Sequence, residues 1–367
     1  MARHMFFGGN TPNGFYGRFE DILFLNEAKK IIYLKGSSGS GKSTLMRKVA
    51  AVFEKQGIEV DYIHCSNNVT DLDGICIREK GICMVDATAP HVCDPSVPVA
   101  IDEIFNLADF IGRDYIQEHA GRLLKLQADK KPYYHKAYAY LNAACKIYEN
   151  NTYINRRSID QIQLQAAIEA ETKPYYQEPL ADKRGLNRSY FASAVSPQGK
   201  VSYLDSLIKG KEIVALKGDS GMGMEQMLPA IREAANSRGY DTESCLCTLD
   251  PEKMDHLIIP GQNLAYVTLN EYHSTAHPAA RVIAFADFCD MAWRHEEYHE
   301  EMQYNKKMFE ELLFKAMNMM DAQKVVHDQI EKIYVAGMDF SGLDQALYTI
   351  LNIIRSAGGD ETQPAKQ

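Results

Sequence analysis

Tyr33-Leu-Lys-Gly-Ser-Ser-Gly-Ser-Gly-Lys-Ser43 and Ala215-Leu-Lys-Gly-Asp-Ser-Gly-Met-Gly-Met-Glu225 are two versions of one passage, set 182 residues apart (Gly36 to Gly218) in a chain of 367. The same offset carries Gly57 onto Gly239, Cys65 onto Cys247, Asp73 onto Asp255, Val85 onto Val267 and His91 onto His273. Further on, Ala108-Asp-Phe110 matches Ala286-Asp-Phe288 at an offset of 178, and upstream Phe7–Gly14 resembles Phe191–Gly199. Self-similarity sustained over this length identifies an internal duplication.

Working outward from the glycines, the apolar run Lys30–Leu34 predicts a strand, and Thr44–Gln56 has helical periodicity that stops at Gly57. Ile58–Cys65 reads as a second strand and Gly81–Asp86 as a third, apolar throughout as a buried parallel strand is. Strands alternating with helices predict an α/β fold: two tandem units, each a parallel sheet with helices on both faces. Each unit opens on a Gly/Pro-turn hairpin and closes with a helical addition, over 102–173 and 279–334. The expected organisation is therefore a first unit at 1–173, a linker at 174–187, a second unit at 188–356 and a disordered tail at 357–367.

Composition narrows the class. Apolar residues make up 46% and charged residues 24%, the balance of a globular protein, and a net charge of −9 lacks the basic footprint of a nucleic-acid binder. Neither a membrane span nor a signal peptide is legible, so a cytoplasmic protein is expected. The eight cysteines form no CxxC pairs, which points to reduced core thiols rather than zinc or disulfides.

Gly36, Ser37, Ser38, Gly39, Ser40, Gly41, Lys42 and Ser43 satisfy the phosphate-binding pattern GxxxxGK[ST], placed between a strand and a helix as that pattern requires. Backbone amides of Gly36–Thr44 would converge on phosphates at a helix N-terminus, with Lys42 on the β and γ phosphates and the Ser43 hydroxyl on Mg²⁺. Asp86, closing the apolar run Ile82–Val85, is the expected second metal ligand; its alternative reading is a turn or helix-cap aspartate. The residue after it is Ala87 rather than the Glu that polarises water in many fast ATPases, which leaves kinase-like transfer or slow hydrolysis open. His91, five residues on, is a candidate for sensing the γ phosphate or positioning a substrate, and Asp94 is a weaker one. His91 and Asp73 recur in the second copy as His273 and Asp255, which favours structural roles for both positions. Arg113, Arg122, Arg156 and Arg157, in the helical addition, are candidates for a cation that closes over the phosphates, each with a solvated-surface alternative.

In the second copy Met224 stands at the Lys42 position, Glu225 at Ser43 and Thr268 at Asp86. A carboxylate without a lysine repels phosphate, so one competent site is expected. His295-Glu-Glu-Tyr-His299 fits HExxH, but its strongly acidic surroundings favour a solvated helix face over a zinc site. The tyrosine cluster at 133–140 is read as a helix packing face rather than a base-stacking platform.

On the strength of the first loop, the Asp86 strand, the helical insert and the degenerate second copy, the chain resembles the P-loop NTPase superfamily. Within it the chain resembles a family of tandem P-loop, nucleotide-kinase-like ATPases of Firmicutes. That resemblance implies ATP binding with Mg²⁺ at Gly36–Ser43 and Asp86. GTP is less favoured, because no NKxD motif is present. It leaves three activities open: an ATPase, a kinase acting on a small molecule or nucleotide, and a nucleotide-dependent switch. The corresponding partners are a small-molecule acceptor, another protein, or a second copy of this chain.

Overall fold

The computed structural model describes residues 2–89 and 93–358. The first half runs through β1 (Ala2–Met5), a hairpin of β2 (Gly8–Thr11) and β3 (Gly14–Gly17), β4 (Lys30–Lys35), α1 (Lys42–Glu54), β5 (Val60–His64), β6 (Leu72–Ile77), β7 (Ile82–Asp86) and β8 (Asp102–Asn106). Three helices follow: α2 (Arg113–Glu118), α3 (Ala120–Arg157) and α4 (Gln161–Tyr176). The second half repeats the plan. It has β9 (Asn187–Tyr190), a hairpin of β10 (Ser193–Ser196) and β11 (Gly199–Ser202), α5 (Leu204–Ile208), β12 (Glu212–Lys217), α6 (Met224–Ser237), β13 (Thr242–Leu246), β14 (Met254–Ile259), β15 (Leu264–Leu269) and β16 (Arg281–Ala284). It ends in α7 (Met291–Ala336) and α8 (Ser341–Gly358).

Two six-stranded sheets result, ordered β1-β5-β6-β7-β4-β8 and, read from the matching edge, β9-β13-β14-β15-β12-β16. Corresponding strands occupy corresponding places, so the duplication read from the glycine loops extends to topology. The sheets are mixed rather than wholly parallel: β6 runs antiparallel to both β5 and β7, and β14 to both β13 and β15. The cause is the short turn Arg78–Lys80 between β6 and β7, since a connection of that length can only reverse the chain whereas a parallel pair needs a crossover. The stretches 102–106 and 281–284, expected as helix, are edge strands beside β4 and β12. The end of the chain expected as disordered is helical to Gly358, and the remainder of that tail lies outside the described residues.

The long helices cover one face of each sheet, and among the described helices the other face carries the short α5, which packs on β1. Side chains alternate along β4, so Ile32 and Leu34 face α1 while Ile31 and Tyr33 face the other way. That other face shares one core with its counterpart, where Ile31, Ile63 and Val85 join Ile213, Ile258 and Val267. At the centre of the junction Phe6 and Phe191 exchange both backbone hydrogen bonds, at 3.0 and 2.8 Å.

The terminal helices cross over. α4, from the first half, packs on α6, placing Leu164 and Ile168 in the second half's core. α8, from the second half, packs on α1, with Leu343, Ile350 and Ile354 beside Leu45, Val49 and Phe53. The crossing is symmetrical, because the bridge Ile111–Met338 is matched by Cys289–Ile159. Between the two, α3 and α7 lie side by side in opposite directions, Leu123 near Ile333 and Ala144 near Phe309. Among the described residues no helix is long and apolar enough to cross a membrane.

Because α8 supplies part of the first half's core, its buried face is expected to act on the stability of a sheet whose last strand ends at Asn106. Ile350 is wholly buried there, and Ile350→Ala is expected to cost about 2–5 kcal/mol in chemical denaturation, with α1 losing amide protection alongside α8. Loss of protection confined to α8 would contradict this packing.

Candidate functional site

The first glycine-rich loop connects β4 to α1, and its geometry follows from its glycines. Gly39 and Gly41 adopt φ of +75° and +85°, where a side chain is strained. Gly41 is also the N-cap of α1, so no side chain caps the helix and its first amides are left to face the loop interior. Lys42, only 9% exposed, curls back into that interior. Its ammonium donates to the carbonyls of Gly36 and Ser37 at 3.0 and 2.8 Å and lies 3.5 Å from Asp86 Oδ2. Ser37 Oγ is buried there without a hydrogen-bond partner.

Asp86 ends β7, the strand that pairs directly with β4, in register with Leu34. Burial raises its pKa, with Lys42 pulling in the opposite direction. Its Oδ1 accepts from the Thr88 amide at 2.9 Å, and the Thr88 hydroxyl donates to Gly36 O at 2.9 Å, which ties the strand end to the loop. Ser43 Oγ accepts from the Leu72 amide at 3.2 Å, drawing the start of β6 to the loop, and Asp73 follows into the same cavity. Thr44 is exposed on the first turn of α1. Lys42, Ser43, Asp73 and Asp86 therefore line one cavity of about 460 Å³.

The rest of the wall comes from the long helices. Lys130 and Tyr134 of α3, and Lys324, His327 and Glu331 of α7, enclose the loop. His327 Nε2 is 3.0 Å from Ser38 Oγ, and burial lowers its pKa to about 4, so the imidazole is neutral at pH 7. A Cβ on Gly39 would come within 2.6 Å of Val335 and one on Gly41 within 2.5 Å of Leu343, which shows how closely the other half's chain is seated on this loop.

None of the four candidate arginines lines this cavity. Arg156 pairs with Glu225 at 3.2 Å, and Arg157 lies over the Trp293 ring at 5.2 Å. Arg113 and Arg122 are exposed on α2 and α3. Arg156 and Arg157 are remote because the far end of α3 reaches the second loop. The cations at the first cavity besides Lys42 are Lys130 and Lys324, which no motif marks. The other half has the same arrangement, Tyr148 of α3 hydrogen bonding Ser220 as His327 of α7 contacts Ser38, but neither sequence offset aligns the two residues and no motif marks them. His91 lies outside the described residues. Asp94 is exposed, 4.0 Å from Lys35.

The second loop is held by side chains of both long helices. Met224, 5% exposed, lies where Lys42 lies in the first, its sulfur 3.3 Å from the Cβ position of Gly218. Asn155 donates to Ser220 O at 2.8 Å, the Thr152 hydroxyl to Ser220 Oγ at 3.2 Å, and Arg294 lies 3.5 Å from Asp219. His295 and His299 are exposed on α7, and among the described residues no group of three His, Cys, Asp or Glu side chains could hold a metal ion. Of the tyrosine cluster, Tyr134 lines the first cavity and Tyr138 donates to Asn10 at 3.0 Å.

Comparison with protein-family models, curated proteins and solved structures found no match to this chain.

Proposed function

We propose that the first half is a Mg²⁺-dependent ATP-binding unit with phosphoryl-transfer activity, slow ATP hydrolysis in the first instance, and that the second half has no nucleotide site. The observation that carries this reading is the convergence at one cavity of an uncapped helix N-terminus, a buried lysine ammonium and a strand-end aspartate. An anion is the ligand such a place accepts: no side chain caps the first amides of α1, the helix dipole adds positive potential, and Lys42 supplies a full charge.

Lys42 and the loop amides would hold the phosphates and offset charge that develops on them, while Ser43 and Asp86 would hold Mg²⁺. The metal would supply charge neutralisation between phosphate oxygens. With Ala87 buried after Asp86, no carboxylate stands at the position that activates water in fast ATPases, which favours slow turnover. Asp86→Asn is expected to leave ATP binding in place but abolish its dependence on Mg²⁺, read by calorimetric titration with and without the metal. An unchanged Mg²⁺ dependence would remove Asp86 from the metal site.

A switch is the second reading, favoured by one observation. α7 touches both loops, through His327 at Ser38 and Arg294 at Asp219, so occupancy of the first loop has a rigid element through which to act on the other half. Calorimetry with ATP and GTP, followed by ADP release with and without a metabolite pool, separates the readings. ADP formed only with the pool indicates a kinase; slow ADP formation without it indicates an ATPase or switch; no nucleotide binding refutes both.

A further inference from the structure

The long helices bring two further lysines to the first cavity, and the two are differently placed. Lys324 is engaged: both carboxylate oxygens of Asp328 accept from its ammonium, at 2.9 and 3.0 Å. Lys130 is half-buried and forms no ion pair among the described residues; its ammonium rests over the Tyr134 ring at 5.9 Å. Burial lowers its pKa with no carboxylate acting the other way. The acids of the same wall are occupied elsewhere. Asp86 lies by Lys42, Asp71 accepts from Asn68 at 2.6 Å, and Asp73 accepts from the Cys65 thiol. Glu331 is half-buried, and burial together with the charges of Asp71 and Asp328 raises its pKa. A half-buried ammonium without a counter-charge costs stability, and an anion in the cavity would relieve that cost.

Lys130 stands at the end of the loop that would receive the terminal phosphate. The Lys42 ammonium, which would serve the β and γ phosphates, lies at the carbonyls of Gly36 and Ser37. His327 contacts the next residue, Ser38, and its pKa is held down by burial together with the charges of Lys130, Lys324 and Lys42. The imidazole therefore lies within the field of both ammonium groups, Lys42 from the loop and Lys130 from α3.

The second half supplies a comparison. Its own cavity, of about 210 Å³ at the loop that carries Ser220, has an uncharged side chain at each corresponding place: Met224 for Lys42, Phe309 of α7 for Lys130 of α3, and Cys145 of α3 for Lys324 of α7. The last two pairs are both 179 residues apart, one more than the offset that relates Ala108 to Ala286. Where the loop has no lysine, neither long helix brings one to it. Cations present together at one cavity and replaced together at the other are what service to a single anionic ligand requires.

We propose that Lys130 is the cation that closes over the terminal phosphate of the bound nucleotide, the role for which the sequence offers four arginines. This rests on the reading of the first loop as an ATP site. The loop amides and Lys42 approach the phosphates from the β4 and α1 side, and Lys130 approaches from α3, toward oxygens that the loop does not cover. ADP lacks that phosphate, so Lys130 would contribute to ATP binding and not to ADP binding.

The test is calorimetric titration of the full chain with Mg·ATP and with Mg·ADP. Lys130→Met removes the charge and keeps the apolar stem. It is expected to weaken ATP about tenfold, the worth of one hydrogen bond to a charged group, and to leave ADP unchanged. Lys130→Arg is expected to retain ATP affinity. Lys131→Ala removes the same charge from the next residue, exposed on α3 outside the cavity, and is expected to change neither nucleotide. ATP affinity unaltered in Lys130→Met overturns the proposal, as do equal losses for ATP and ADP or a matching loss in Lys131→Ala. No nucleotide binding by the wild-type chain refutes the ATP reading and this inference with it, whereas wild-type binding that Lys130→Met leaves intact refutes this inference alone.

Discussion

Lys42→Ala is expected to abolish Mg·ATP binding at working concentrations, while Met224→Ala leaves it unchanged. The two residues hold equivalent places in equivalent loops, so the pair isolates one ammonium group from everything else the loops share. In the structure that ammonium is held by two loop carbonyls and is close to Asp86. Contact with phosphate would replace these with charge-assisted hydrogen bonds, and losing two of them costs about 3 kcal/mol, roughly a hundredfold in affinity. The fold should survive, because Lys42 contributes no apolar surface to the core shared by α1 and α8. Calorimetric titration of both variants decides the matter. Equal losses would show two working sites and refute the one-site reading; retention of affinity in Lys42→Ala would take the loop out of nucleotide binding.

The largest stability effect is expected at a different place, the buried charge cluster between the halves. Glu243 on β13 accepts from Arg3 of β1 at 2.5 Å and from the Tyr190 hydroxyl at 2.7 Å. Arg3 lies 3.7 Å from Asp61, which in turn accepts from Arg78. Burial pushes the Glu243 pKa up, but the guanidinium groups of Arg3 and Arg78 outweigh it and hold the pKa at about 2. A carboxylate whose folded pKa lies below its unfolded value stabilises the fold fully above the unfolded value, and that contribution is lost as pH falls toward the folded one. The window runs from the ordinary value of 4.5 down to about 2, and the contribution at stake is about 3 kcal/mol. Glu243→Gln is therefore expected to cost about 3–5 kcal/mol near neutral pH, because it leaves Arg3 buried beside a neutral amide. Chemical denaturation from pH 6 to pH 3 should show the gap between wild type and variant narrowing below pH 4.5, as the unfolded wild-type chain takes up a proton at Glu243 that the folded state still excludes. A gap constant across that range would mean that the fold does not shift the Glu243 pKa, and a gap that grew toward low pH would mean that the fold holds Glu243 neutral.

What the residues disclosed on their own was the part governed by local rules. The glycine spacing, the strand before it and the helix after it all follow from short-range chemistry, and β4, α1, β5 and β7 lie where that chemistry puts them. β6 was missed because Leu72-Asp-Gly-Ile-Cys-Ile77 is short and interrupted by Gly74, and with it went the mixed character of the sheet. β8 was missed because an edge strand is partly exposed and alternates with polar residues, as Asp102-Glu-Ile-Phe-Asn106 does. The crossing of α4 and α8 was illegible for another reason. An amphipathic pattern shows that a helix has a face to bury, not which core will receive it. The arginines were misplaced in consequence, and Lys130, Lys324 and His327 were passed over because no motif places them at the loop.

The crossing of the terminal helices also bears on how such a chain arose. A single-length ancestor of either half would have had the wrong helix for company: its own last helix extended away, and its first helix stood bare until a second copy returned the favour. Two copies of that plan would complete each other, each lending its last helix to the other's sheet. Held in one chain, the two pockets need not be alike, and here one carries Lys42 where the other carries Met224.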